Sequence, residues 1–254
     1  MNLTSAQFAV ISGAMILCMV WDAINDLLMG IIIENTHFKM GKFKPWILAG
    51  SLTNAIVIVC LFTIRPSGWG FVAFYSLFYL LWGMTYTMND IAYWGVLPSL
   101  SSDPGTRDSL VTIMSIFVCI GQFSVAGVVP VVIAGNAVKA YRIVAVVVAL
   151  CLIAFQMLTA FGIKENDREE QKDKLSLKDM YHIFMRNDQL VAAGIASIFF
   201  NITCNILIIF GVNFFYIEYG YSESGNLVFY FTVMYGLGML ISQASYATLA
   251  KHFT

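Results

Sequence analysis

Charge is what this sequence has least of. Only 11% of its 254 residues are Asp, Glu, Lys or Arg, whereas a soluble domain carries about 25%. A chain this poor in charge cannot coat a globular surface in water, which excludes an ordinary cytosolic enzyme and a disordered chain. It also lacks an excess of either sign: the formal net charge is −1, so no basic patch for nucleic acid exists. Cysteine is sparse, and Cys18, Cys60, Cys119, Cys151 and Cys204 each sit inside an apolar stretch, with no spacing that suggests a metal site or a disulfide. They read as small hydrophobic residues. What the sequence has instead is hydrophobicity: 59% of residues are apolar, 20 of them Phe, and the mean hydropathy is +0.77. Its solvent is lipid.

A span needs about 20 mostly apolar residues. Seven stretches qualify, at 6–33, 46–64, 70–98, 110–134, 141–163, 190–216 and 226–250. The runs are continuous rather than alternating, so they predict helices and an all-α membrane protein, not a barrel. The opening residues lack the basic start and the small-residue cleavage site of a signal peptide and belong to the first span. The loops at 34–45, 99–109 and 164–189 and the C-terminal end carry 11 of the 14 Lys and Arg residues. The positive-inside rule makes that side cytoplasmic and puts residue 1 outside.

Five spans precede the polar stretch 164–189 and two follow it. This predicts an N-terminal bundle at 1–163, a cytoplasmic central loop at 164–189 and the start of a C-terminal bundle at 190–254. If the loop joins two six-helix halves, one helix precedes residue 1 and four follow residue 254. The alternative is a complete seven-helix protein. Within the loop, KENDREEQKDK reads as a solvated linker. LSLKDMYHIFMRNDQL (175–190) reads as a short amphipathic helix on the inner membrane face.

Three acids lie inside spans: Asp22, Asp26 and Asp90. An ionisable residue at mid-span costs at least about 2.5 kcal/mol, so its presence points to function. Asp22 and Asp26 are spaced i, i+4 on one helical face, with Asn25 beside them. Two carboxylates this close repel, and no Lys, Arg or His in any span can neutralise them. A small hard cation or a proton held by these oxygens would do so. A permanent partner Lys or Arg elsewhere is the alternative. In the third span Tyr86, Asp90 and Trp94 follow at i, i+4, i+8, with Thr87 on a neighbouring part of that face. A carboxylate flanked by rings suits a sugar, whose hydroxyls bond the acid while the indole covers the ring face. Equally, Tyr86 and Trp94 could be residues of the interfacial belt. On the sixth span Asn201 and Asn205, with Asn213 beyond, could bond a polar ligand or join helices.

Three motifs carry a family resemblance: WDAIND (21–26) running on to GKFKPWILAG (41–50), WGMTYTMNDIAYWGVLPSL (82–100), and RNDQL (186–190). They resemble the glycoside–pentoside–hexuronide cation symporters, the melibiose-permease-like branch of the major facilitator superfamily. The resemblance implies about seven of twelve helices, two bundles around a central cavity, and alternating access. It implies a cation site at Asp22, Asn25, Asp26 and Thr87. It implies a sugar site at Asp90 and Trp94, with a contribution from the Asn201/Asn205 helix, and an inner gating loop at 30–45. Two departures stand out. Leu27 replaces a usual Pro, and Ser115 replaces a cavity Arg, which removes a five-donor fork for sugar hydroxyls.

The expected activity is cation-coupled symport of a glycoside across the cell membrane. Its partners are a sugar, a monovalent cation (Na⁺, Li⁺ or H⁺) and the bilayer, with no cofactor beyond that cation and no catalytic residue. One alternative keeps the fold and carries a lipid or another small solute. The other is an intramembrane aspartyl protease using Asp22 and Asp90, whose Gly-x-Gly-Asp context is missing here.

Overall fold

Continuous apolar runs leave the backbone one way to satisfy its own polar groups in lipid, and the chain takes it. The computed structural model describes residues 3–133, 137–163, 176–223 and 225–253. Eight helices occupy them: α1 (Ser5–Glu34), α2 (Lys44–Thr63), α3 (Trp69–Leu100), α4 (Pro104–Ile133), α5 (Ala137–Gly162), α6 (Leu177–Arg186), α7 (Asp188–Glu223) and α8 (Gly225–Phe253). Among the described residues the only ladder-type pairing is an isolated bridge between Phe38 and Gly41.

Local chemistry sets the ends. Thr4 and Gln7 form a capping box at the start of α1, Gln7 N–H donating to Thr4 Oγ1 and Thr4 N–H to Gln7 Oε1. Pro45 sits in the first turn of α2, and Pro104 opens α4 behind a capping Asp103. The turn between α1 and α2 passes through Gly41 at φ 105°, a conformation that favours glycine. Lys42 pairs with Glu34 at 2.6 Å and ties that turn to the end of α1.

Six helices (α1 to α5 and α7) are long and apolar enough to cross a membrane, with only Leu227–Ser242 of α8 counted as a shorter apolar stretch among the described residues. The protein is a multi-pass membrane protein. Its helices run a few residues beyond the apolar spans, most at α7, where polar residues extend the helix past the apolar run. The expected amphipathic helix is α6, while the linker at 164–174 lies outside the described residues.

The helices group into two compact units. One consists of α1, α2, α3 and α5, with α2 packed on both α3 and α5 and α1 packed on α3. Its core is Met29, Ile33, Ile47, Ala92 and Ala160. The backbones of α2 and α3 meet at Gly50, where a Cβ would lie 2.7 Å from the Asn89 nitrogen. The other unit consists of α4, α6, α7 and α8, with α8 packed on α4 and α7. At Gly236 a Cβ would come within 2.8 Å of the Phe123 ring. These units cut the chain differently from the 1–163, 164–189 and 190–254 division, because α4 pairs with α8.

Candidate functional site

The site grows from the contact between α1 and α3. Neither helix contains a Lys, Arg or His. Asp22 and Asp26 lie one turn apart on α1. Opposite them α3 presents Gly83 and, one turn on, Thr87. Gly83 lets the Asp22 carboxylate rest against the α3 backbone: a Cβ there would sit 3.0 Å from Asp22 Oδ1. The Thr87 hydroxyl donates to Asp26 Oδ1 at 2.9 Å and lies 3.4 Å from Asp22 Oδ1. A hydroxyl has one proton, so the shorter contact is the hydrogen bond and the longer a shared, weaker one.

Asn25 is buried beside these acids at 4% exposure. Its amide nitrogen has no hydrogen-bond partner. A buried donor left unmet costs about 1–3 kcal/mol, so this amide stands ready for an acceptor. Next to Asp22 a small cavity of about 30 Å³ is bounded by Cys18, Asp22, Trp82 and Gly83, among others. It has room for a single water-sized occupant. Among the described residues no three His, Cys, Asp or Glu side chains cluster as metal ligands. Thr87 and Asn25 each carry an uncharged, hard oxygen of the kind that suits a small monovalent cation.

Asp90 follows Thr87 on α3. It lies one turn beyond Tyr86 and one turn before Trp94 on the same helix. Tyr86 is 52% and Trp94 38% exposed, so both rings keep an open face beside a half-buried carboxyl. Of the residues expected at a cation site and a sugar site, Asp22, Asp26 and Thr87 meet at the α1–α3 contact, and Tyr86, Asp90 and Trp94 lie within two turns of Thr87 on α3.

Asn201 and Asn205 behave differently. They lie on α7, in the other unit, and each amide donates to the carbonyl one turn back on its own helix: Asn201 to Ser197 and Asn205 to Asn201, both at 2.8 Å. Asn213 repeats the pattern with Ile209 at 2.8 Å.

Three residues that sequence reasoning passed over, Asn54, Asn89 and Gln156, hold α3 in place. Asn54 on α2 donates to the Trp82 carbonyl at 3.1 Å and to Thr85 Oγ1 at 2.9 Å. Asn89 donates to the Ile47 carbonyl at 3.0 Å and accepts from Gln156 of α5 at 3.1 Å. These ties flank Gly83 and Thr87, so they fix the half of the site that α3 supplies. Their signal was an uncharged amide in mid-span.

The model of a family described as MFS/sugar transport protein matches residues 4–254. Lactose permease of Lactobacillus helveticus is 27% identical over 216 residues, which is 78% of this chain and 34% of that protein. The raffinose carrier protein of Pediococcus pentosaceus is 24% identical over 245 residues, 90% of this chain and 38% of that protein. The inner membrane symporter YicJ of Escherichia coli (strain K12) is 28% identical over 182 residues, 70% of this chain and 40% of that protein. The chain therefore spans between a third and two-fifths of the length of these curated relatives.

Proposed function

The chain belongs to the MFS/sugar transport protein family, the group its motifs resemble, and from that premise we propose that it works in the cation-coupled symport of a glycoside. One observation carries the reading: Asp22 and Asp26, one turn apart on a helix without a basic residue, share the Thr87 hydroxyl of the facing helix. Two acids of like charge one turn apart in an apolar span are a standing penalty that an arriving cation relieves.

The coupling follows from position. A cation bound by Asp22, Asp26, Thr87 and Asn25 neutralises charge beside Asp90. It also fixes the α3 face on which Asp90, Tyr86 and Trp94 receive the sugar. The linkage is reciprocal, so bound sugar tightens the cation by the same factor. Alternating access then carries both across the cell membrane, the loop between α1 and α2 and the central loop lying on the cytoplasmic side.

The names of two relatives supply the first cargoes to try. Full-length protein in proteoliposomes is offered lactose or raffinose under an imposed Na⁺, Li⁺ or proton gradient. Gradient-driven accumulation supports the reading, and its absence for all three cations contradicts it. Uptake blocked by lysolipid but not by excess sugar would favour a lipid cargo instead.

A further inference from the structure

Helix α6 (Leu177–Arg186), 10 residues long, has no buried residue. A helix that short is marginal in water on its own hydrogen bonds, so some surface has to cover it. Its side chains sort by face. Leu177, Tyr181, Phe184 and Met185 lie on one side, and all four are exposed. Lys178, His182 and Arg186 follow at i, i+4, i+8 on the other. Asp179, the one acid of α6, stands in its first turn.

The joint to α7 decides what that surface is. Asn187 alone separates the two helices. Its N–H donates to the Phe184 carbonyl at 3.3 Å, which closes α6. Its Oδ1 accepts the Leu190 N–H at 3.1 Å and its carbonyl accepts the Val191 N–H at 3.0 Å, which caps α7. The Phe184 ring lies against α7 at Gly194, where a Cβ would be 3.5 Å from its Cζ. The apolar face of α6 is therefore turned toward a membrane span. The apolar run of that span starts at Leu190, about 3 Å of helix beyond Asp188. Interfacial helices bury their apolar face about 5–10 Å at the boundary of headgroups and acyl chains, and the elbow ties α6 to α7 at that level.

We propose that α6 is a docking site for anionic phospholipid, with its apolar face against acyl chains and headgroup phosphates on Lys178, His182 and Arg186. The apolar face alone would suit any bilayer; the basic row selects negative charge. Lys178 supplies a point charge, and the Arg186 guanidinium can take a phosphate through two parallel N–H bonds. The His182 ring between them adds a donor. Because Asn187 bonds both helices, the anchorage passes to the first turn of α7. The motif RNDQL (186–190) gains a local role in this way: Arg186 meets the headgroup, Asn187 forms the elbow and Leu190 enters the span. The inference goes beyond the cation and sugar sites and does not depend on them.

The test places full-length protein in nanodiscs of phosphatidylcholine alone and of an equimolar mixture with phosphatidylglycerol, and follows backbone hydrogen exchange. Exchange of α6 should be about tenfold slower in the mixed bilayer, as two basic residues at an anionic surface imply, while α2 and α3 exchange alike in both. In Lys178→Gln with Arg186→Gln that difference should vanish, with exchange in pure phosphatidylcholine unchanged. In Leu177→Ser with Tyr181→Ser, α6 should exchange fast in both bilayers. High salt should erase the difference in the unmodified protein, without any mutation.

Equal exchange of α6 in the two bilayers overturns the proposal. So does a difference that survives the Gln variant or high salt, which would put the anionic lipid elsewhere on the protein. Protection of α6 that appears only when a soluble protein is added assigns its apolar face to a protein partner and likewise overturns the lipid assignment.

Discussion

In the sequence, the acids of α1 and the amides of α7 look alike: polar side chains one turn apart in an apolar span. The fold separates them. Asp22 and Asp26 reach across to Thr87 of a second helix, and Asn25 beside them keeps a buried nitrogen without a partner. Asn201, Asn205 and Asn213 each turn back to their own helix and are satisfied there. An amide can meet its need locally because it carries a donor, and a mid-span carbonyl tolerates a second bond. A carboxylate carries no donor, and every carboxylate or carbonyl oxygen near it repels it. It has to import a hydroxyl, a proton or a cation from elsewhere. Identical spacing therefore produces a self-contained row on α7 and an open demand on α1.

That contrast can be broken at several points. The largest effect is expected at Thr87. Thr87→Val keeps the shape and removes the shared hydroxyl, and a hydrogen bond to a charged group is worth about 1.5–3 kcal/mol. Cation affinity of the full-length protein, followed by calorimetry, should fall about tenfold or more, and thermal stability should fall as well, because the same hydroxyl bonds Asp26 without the cation.

Next is the close approach that aligns the two sides. Gly50→Ala drives a methyl group into the Asn89 backbone and should cost about 1–3 kcal/mol of stability, as overpacking does. Gly13→Ala is the control: nothing lies within 4 Å of a Cβ there, and a helical Ala should be neutral or slightly stabilising. Melting curves of the purified protein would compare the two.

A smaller effect is expected on α7. The double change Asn201→Leu with Asn205→Leu removes amides that bond only their own helix. It should leave cation affinity unchanged and shift sugar affinity by no more than about threefold, since a satisfied amide has little more to give. A larger loss of sugar than this would show that α7 makes direct contacts its local bonds do not suggest.

The smallest effect is a pH dependence at Asp103, outside the spans. The Thr106 side chain and then its backbone N–H bond the carboxylate and hold it below the usual carboxylate range. A lowered folded pKa means that this cap stabilises the start of α4 above the ordinary carboxylate pKa. The contribution disappears as pH falls through the lowered value. Asp103→Ala should erase that acid-side change in the melting curves and leave stability at neutral pH slightly reduced.

Most of the fold was legible because lipid imposes length and backbone satisfaction on every span. The stretches 46–64 and 70–98 became α2 and α3 within two residues at either end. The start of α4 was read at 110 rather than 104, although Asp103 and Pro104 are a cap and a first-turn proline. The apolar run begins later than the helix does. The pairing of α4 with α8 was not legible, because helices apolar on every side show no stripe to announce a neighbour. In the site, the charges were visible because each is costly in hydrocarbon. Gly83, Asn54 and Asn89 were hidden because their roles depend on which helix lies opposite, and no spacing along one helix encodes that.

The most direct measurement is a titration of Na⁺ or Li⁺ into the full-length protein, with and without saturating sugar, at a fixed pH. The unmodified protein should bind the cation more tightly when sugar is present, by the factor by which the cation tightens sugar. In Asp22→Asn with Asp26→Asn that mutual dependence should vanish, while any remaining sugar binding becomes indifferent to the cation. The same coupling persisting in the double variant would contradict the assignment of the cation to this pair of acids.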